Sequence, residues 1–346
     1  MITEIHHIDQ VVPRIVGRKD FIHVVKDGYQ VIDYVYQEGD SFADPIRQQC
    51  RGLKFDSRGG IIGRPFHKFF NYGEKLLSYD WNSPHKIMLK LDGSMVSTTM
   101  IRDELRLCTR MGITEHSLEA EKYLTSEMKD IILDGHGKGW NFIFEYTAPD
   151  NRIVIEYDKP ELTLLAIRDI VTGEYIDTSI VENRLKTAPV FQFKLGDENI
   201  SNIRQNTTGI EGYVVAWQDG TYVKIKTEEY VQMHRAVSFF DREDMILPVV
   251  LDSQCDDLYP NLSLERSSRL FEYETSVMKE FINWVNIVKE EVSKDWESRK
   301  EFAIYVNSKY PRQINGAFFA GMDNKDIKDA VKRQIIKNPD ILETRW

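Results

Sequence analysis

The hydrophobic pattern changes period near residue 240, and that change constrains the fold more than any other feature of the sequence. Upstream, short apolar runs alternate with polar residues between turn signals. Phe21–Val25 and Tyr29–Tyr36, for example, flank Asp27-Gly28, which reads as a hairpin. Downstream, Leu270, Tyr273, Val277, Phe281, Trp284, Val288 and Val292 recur at three- and four-residue steps, the spacing of a long amphipathic helix. Ile327, Val331 and Ile335 mark a last helix that stops before Pro339. Strand side chains repeat every two residues and helical ones every 3.6, so one kind of element cannot satisfy both stretches. The expectation is an α+β chain: antiparallel sheets with flanking helices over 1–240, then an all-helical C-terminal domain over 241–346.

Within the first part, Lys86–Leu91, Ser94–Ile101 and Leu105–Arg110 read as strands, and residues 115–134 as one helix. The glycine-rich run 134–139 has the wrong spacing for a phosphate loop, with no Ser or Thr after Lys138, and is expected to be a mobile turn. Asn141–Tyr146 is a strand. Ile153–Tyr157 and Leu162–Arg168 are expected to pair across Asp158-Lys159-Pro160. A polar, helical linker over 179–208 leads to strands at Gly209–Val215 and Thr221–Lys226. The net charge of −10 argues against a protein held to nucleic acid by its whole surface. Charge is uneven, however: Asp44–Arg110 carries twelve Lys and Arg against seven Asp and Glu, which suggests a focused site for an anionic ligand. No run is long and apolar enough for a membrane span, and the N-terminus lacks a leader pattern. Cys50, Cys108 and Cys255 form no paired spacing, so a reducing cytoplasm is expected.

The chemistry centres on Lys90-Leu91-Asp92-Gly93-Ser94. A lysine held ahead of an Asp-Gly turn can point its amine into a pocket. It becomes a nucleophile once desolvated or set beside other cations. Asp-Gly is also an ordinary hairpin turn, so this stretch needs partners. Glu145 and Glu211 are carboxylates on strands, suited to a ribose hydroxyl or a divalent metal. Either alone reads more readily as an edge-strand carboxylate in a salt bridge. Lys224 and Lys226 share one strand face. Arg51, before Gly52, can approach a phosphate closely. Lys68 and Phe70 lie in an aromatic run that could stack a base and reach a phosphate, or simply fill a core. Converging on one pocket, these groups would equip an amine to attack an α-phosphate with pyrophosphate leaving.

The ordered set Lys90-x-Asp92-Gly93, Phe144-Glu145-Tyr146, Glu211-Gly212-Tyr213-Val214 and Lys224-Ile225-Lys226 resembles four motifs of the covalent nucleotidyltransferases, the polynucleotide ligases and mRNA capping enzymes. Within that superfamily the sequence is most similar to the RNA ligase 1 family of T-even phages, from about Tyr29 to about Leu258. Supporting stretches are Cys50-Arg51-Gly52, Lys68-Phe69-Phe70-Asn71, Ala148-Pro149-x-Asn151-Arg152 and Thr172-Gly173-Glu174-Tyr175. The resemblance implies a nucleotidyltransferase domain and an ATP-dependent RNA ligase using Mg2+ or Mn2+. Its substrate would be RNA with 5′-phosphate and 3′-hydroxyl ends, cleaved tRNA among them, with no membrane and no obligate protein partner. It implies Lys90 as the adenylated nucleophile. Tyr34, Arg51, Lys68, Glu145, Lys224 and Lys226 would contact ATP, Phe70 would lie near the adenine, and Glu211 would build the pocket. Asp256 would sit near the metal, and Tyr230 matches an aromatic of functional interest.

Two departures stand out. Leu91 occupies a position where the family often carries an acid, and the family's lysine on the strand after Lys90 is replaced at best by Arg110, one place off. A capping guanylyltransferase or a DNA ligase is the alternative within the superfamily, although both usually carry a barrel where this tail is helical. A catalytically silent RNA-end-binding protein is the alternative of another class.

Overall fold

Alternation upstream and helical periodicity downstream sort the chain into two compact units, 1–231 and 232–346. The computed structural model describes residues 3–75, 77–240, 242–259, 262 and 264–346. The first unit holds three antiparallel-based sheets. A four-stranded sheet takes β1 (Phe21–Lys26), β2 (Tyr29–Tyr34), β3 (Leu53–Asp56) and β4 (Ile61–Gly63) in chain order. Its first hairpin pairs Lys26 with Tyr29 across Asp27-Gly28, with Gly28 at φ +85°, as the dipeptide predicts.

The two remaining sheets have five strands each. One takes β6 (His85–Lys90), β13 (Gly212–Trp217), β14 (Tyr222–Lys226), β5 (Phe70–Asn71) and β12 (Val190–Phe191), in the order β12-β6-β13-β14-β5. The other takes β7 (Ser94–Ile101), β8 (Glu104–Cys108), β9 (Trp140–Thr147), β10 (Glu161–Asp169) and β11 (Tyr175–Ile176), in the order β11-β10-β9-β7-β8. The chain passes from one five-stranded sheet to the other in the three residues between Lys90 and Ser94.

Several expectations change. Residues 115–134 form two helices, Glu115–Glu121 and Ser126–Gly137, because the Thr125 hydroxyl accepts from the Met128 N–H at 3.2 Å and starts a new helix. The glycine run is no mobile turn. Gly135 lies inside the second helix, where a Cβ would come 2.4 Å from the Phe142 ring, and Gly139 at φ +82° ends it. Residues 153–157 form no strand; β10 pairs instead with β9 and β11. The stretch 179–208 is less helical than its polarity suggests. It contributes β12, which pairs with β6, and only then the short helix Ile200–Asn206.

The second unit is helical, as its period predicts: Glu243–Leu251, Leu264–Val292, Arg299–Lys309, Asn315–Met322 and Ile327–Lys337. Leu270, Tyr273, Val277, Phe281 and Val288 are buried along the long helix, and Val331 and Ile335 along the last. The helix Glu228–Phe240 begins in the first unit and ends in the second. No helix among the described residues is long and apolar enough to cross a membrane.

Candidate active site

The turn after β6 is fixed from every side. Asp92 is buried; its Oδ2 accepts the Val154 and Ile155 N–H groups at 2.8 and 2.7 Å, and its Oδ1 accepts the Tyr230 hydroxyl at 2.7 Å. Its own N–H donates to the Tyr157 hydroxyl at 2.9 Å. The Val154 and Ile155 N–H groups, which a strand would spend on a neighbour, are thus taken by this turn. Gly93 follows because nothing larger fits: a Cβ there would lie 2.3 Å from the Tyr146 carbonyl oxygen. The Gly93 N–H donates to Glu145 Oε1 at 3.1 Å, tying the turn to β9 of the facing sheet.

Strand register then sets the site's two faces. Gly212 pairs with Lys90 on one side and Lys226 on the other, while Val214 pairs with Met88 and Lys224, and Lys224 with Asn71. Met95 on β7 pairs with Glu145 on β9. Lys90, Lys224, Lys226, Met95 and Glu145 all line one cavity of about 500 Å³, with Arg51 and Arg110. Phe66, Phe69, Met88, Leu165 and Val214 make an apolar stretch of its wall.

The buried carboxylate of Glu211 grips two of the lysines: Lys90 Nζ lies 2.6 Å from Oε2 and Lys226 Nζ 2.9 Å from Oε1. Gly212, at φ +144°, lets β13 lie close against β14, where a Cβ would come 2.1 Å from the Ile225 carbonyl oxygen. Arg51 and Lys224 have no carboxylate partner among the described residues. Arg51 Nη1 lies 3.3 Å from Met95 Sδ, and Lys224 Nζ sits 4.8 Å from the Phe69 ring centre. Burial, reinforced by Arg51, Lys68, Lys90 and Lys226, pushes the Lys224 amine down to about 7. Burial pushes the Glu145 carboxyl up to about 7, with Lys90 opposing and Glu211 adding to the rise. A cavity with two uncompensated cations beside an apolar wall fits a ligand that is anionic at one end and flat and apolar at the other.

Arg110 reaches the same wall on the loop after β8. It donates to Asp33 Oδ1 from Nε at 3.2 Å and from Nη2 at 2.9 Å, and its guanidinium lies 4.1 Å from the Tyr34 ring centre. The fully buried Lys54 donates to the Thr109 carbonyl at 2.7 Å and steadies that loop.

Of the expected site residues, Lys90, Arg51, Glu145, Lys224 and Lys226 line the cavity, and Glu211 bonds two of them. Tyr34, Lys68 and Phe70 are not on its wall. Tyr34 packs beneath Arg110, while Lys68 and Phe70 face a second cavity. Phe69 lines both cavities and Phe70 only the second. Asp256 lies exposed on the turn Cys255–Asp257 of the second unit. Among the described residues no group of three His, Cys, Asp or Glu side chains could hold a metal ion. Tyr157 and the 154–155 amides were not legible as site residues, because their role is a contact across more than sixty positions with no local pattern.

Comparison with known proteins is consistent with this arrangement. The profile of the RNA ligase family matches residues 49–231, more than half the chain. A candidate RNA ligase of Thermovibrio ammonificans is 27% identical over 289 residues, covering 76% of this chain and 75% of that one. RNA ligase 1 of bacteriophage TS2126 is 26% identical over 253 residues, covering 67% of this chain and 62% of that one. An archaeal ATP-dependent RNA ligase shares the fold at a TM-score of 0.50 and 15% identity, over 86% of this chain and 85% of that one. The chain belongs to the RNA ligase family.

Proposed function

We propose that the first unit is an ATP-dependent adenylyltransferase that joins RNA ends. The observation that carries this reading is Lys90, anchored on the crossover turn and held by Glu211, facing a cavity whose Arg51 and Lys224 lack counter-ions. ATP fits that cavity with adenine against Met88, Leu165 and Val214 and phosphates toward Arg51, Lys224 and Lys226. Lys90 Nζ attacks the α-phosphorus; the N–P bond forms, the bond to the β-phosphate oxygen breaks, and pyrophosphate leaves. The ammonium proton leaves through Glu211, whose Oε2 already lies 2.6 Å from Nζ. The AMP then passes to the 5′-phosphate of RNA. A 3′-hydroxyl attacks that activated end, releasing AMP and sealing the strand.

These are displacements at phosphorus, so the protein contributes positioning and charge neutralisation. A divalent cation such as Mg2+ neutralises phosphate charge when bound. Among the described residues no group of three metal-ligating side chains forms a cage for it; the carboxylates of Glu211 and Glu145 would face it, with phosphates and water as the other ligands.

The test incubates the protein with α-labelled ATP and Mg2+, then with a 5′-phosphorylated single-stranded RNA. Wild type is expected to acquire an acid-labile label and to circularise the RNA. Lys90→Ala is expected to lose the label yet still seal pre-adenylated RNA. Full labelling of Lys90→Ala would remove the nucleophile assignment. Efficient labelling by GTP with none by ATP would move the chain to the capping reading.

A further inference from the structure

The sheet face that carries Lys90 continues past the first cavity. Side chains alternate along a strand, so Lys86, Met88 and Lys90 lie on one face of β6. Register sets Val214 between Met88 and Lys224, and Ala216 between Lys86 and Tyr222. The Met88 row lines the first cavity, while the next row, with Ala216 at its centre, lines a further cavity of about 410 Å³. Met88 and Leu165 line both, so these two side chains form the partition.

Two small residues leave this space open, Ala216 on one sheet and Ala166 on the facing one. The partition itself is of adaptable material. Leu165 is an extra residue in β10: Leu164 pairs with Phe144 and Ala166 with Ile143, so Leu165 has no partner on β9. A bulge of this kind re-aims a side chain, and the unbranched Met88 repacks readily. The walls are otherwise largely apolar, with Ile176 and the rings of Tyr175, Trp217 and Tyr222. The cavity's one lysine, Lys86, already pairs with Asp177 at 2.7 Å. Unlike the first cavity, this one therefore offers no uncompensated lysine or arginine to a phosphate. It suits a neutral, apolar group.

We propose that this cavity is a base-edge subsite, which takes an apolar group carried on the exocyclic amine of adenine. With the α-phosphorus at Lys90 and adenine against Met88, Leu165 and Val214, the ring edge farthest from the ribose faces the Ala216 row. That row lies about 7 Å beyond Met88, two residues further along the strand. The chain thus accepts N6-substituted ATP as the adenylate donor, and Ala216 limits the size of the substituent. The transfer itself is the same: the N–P bond to Lys90 forms and pyrophosphate leaves. The assignment rests on the adenylyltransferase reading above and adds the class of nucleotide that the site admits.

The test uses ATP and N6-benzyl-ATP. Their binding is measured by calorimetry on the full chain carrying Lys90→Ala, where no transfer intervenes, with and without Ala216→Leu. In parallel, the mass of the intact wild-type protein with Mg2+ reports which nucleotide becomes attached. N6-benzyl-ATP is expected to bind no more weakly than ATP and to leave the heavier adduct. Ala216→Leu is expected to weaken N6-benzyl-ATP about tenfold or more, the scale of extra methylenes in an apolar pocket, and to leave ATP within about twofold. Ala216→Val should give a smaller loss in the same direction, and unchanged ATP binding shows that each variant is folded. Tenfold weaker binding of the analogue than of ATP without the Ala216 change would overturn the proposal. Equal loss of both nucleotides in Ala216→Leu, or loss of neither, would also overturn it. A chain that binds both nucleotides but gains no mass from ATP would refute the adenylyltransferase reading, while the binding comparison would still decide this one.

Discussion

Replacing Asp92 separates positioning from chemistry, since its carboxylate is buried and touches protein groups only. Asp92→Ala leaves the buried Val154 and Ile155 N–H groups without their acceptor and takes one of two carboxylate partners from the Tyr230 hydroxyl, which keeps Glu211. At roughly 1.5 kcal/mol for each amide bond to the carboxylate and about 1 for the hydroxyl, which keeps its second partner, the loss is about 4 kcal/mol. Asp92→Asn keeps an oxygen toward the two amides, and its NH2 can donate to a rotated Tyr230 hydroxyl. Only the charge assistance is lost, about half as much or less. For a unit of this size each kcal/mol moves Tm by about 2–4 °C, so the alanine variant should melt roughly 8–16 °C lower and the asparagine variant roughly 3–8 °C lower. Differential scanning calorimetry of the first unit's transition measures this. Labelling from α-labelled ATP, below both melting ranges, then reports whether the Lys90 turn has moved. An alanine variant melting within two degrees of wild type, or an asparagine variant as damaged as alanine, would refute the reasoning.

Two further predictions concern pH. Lys224 titrates near 7 in the folded protein against an ordinary 10.5, so between these values the unfolded chain binds more protons and stability rises with pH. Lys224→Met is expected to flatten that rise between about pH 7 and 10, and a Tm series across the window checks it. In the second unit, buried Glu291 accepts from Lys294 at 2.6 Å, Lys309 at 2.8 Å, Tyr310 at 2.6 Å and Tyr305 at 3.1 Å; these bonds hold its carboxyl at about 2 although burial opposes them. Its contribution is present above the ordinary carboxylate pKa and is lost as pH falls toward 2. Wild type should therefore lose helical content in that acid window, and Glu291→Gln should start less stable and change less, as followed by circular dichroism.

What could be read in advance was whatever the chain announces locally. The Asp27-Gly28 hairpin, the long helix after Leu264 and the strand carrying Lys224 and Lys226 all follow from spacing, because each buries its own periodic face. The Lys90, Glu145, Glu211 and Lys224 set was visible as ordered short motifs. The misreadings share one physical origin. Ile153–Tyr157 has the composition of a strand, but its backbone donors are captured by Asp92, a partner no local pattern reveals. Residues 115–134 look like one helix because hydrophobic periodicity hides the cap at Thr125. The resemblance puts Lys68 and Phe70 with ATP; in the structure they line the cavity that shares Phe69 with the Lys90 one.

The crossover between Lys90 and Ser94 has a consequence for how the chain tolerates change. Both flanking strands are locked by pairing, Lys90 to Gly212 in one sheet and Ser94 to Tyr146 in the other. Side chains alternate along β7, so adding or deleting one residue in the turn would shift that strand's phase by half a period. Met95 would rotate out of the cavity and the fully buried Val96 would rotate into it, although no motif residue had been altered. The three-residue connector thus works as a length standard. The side chain at Leu91 can vary, provided the count of residues between the two sheets stays the same.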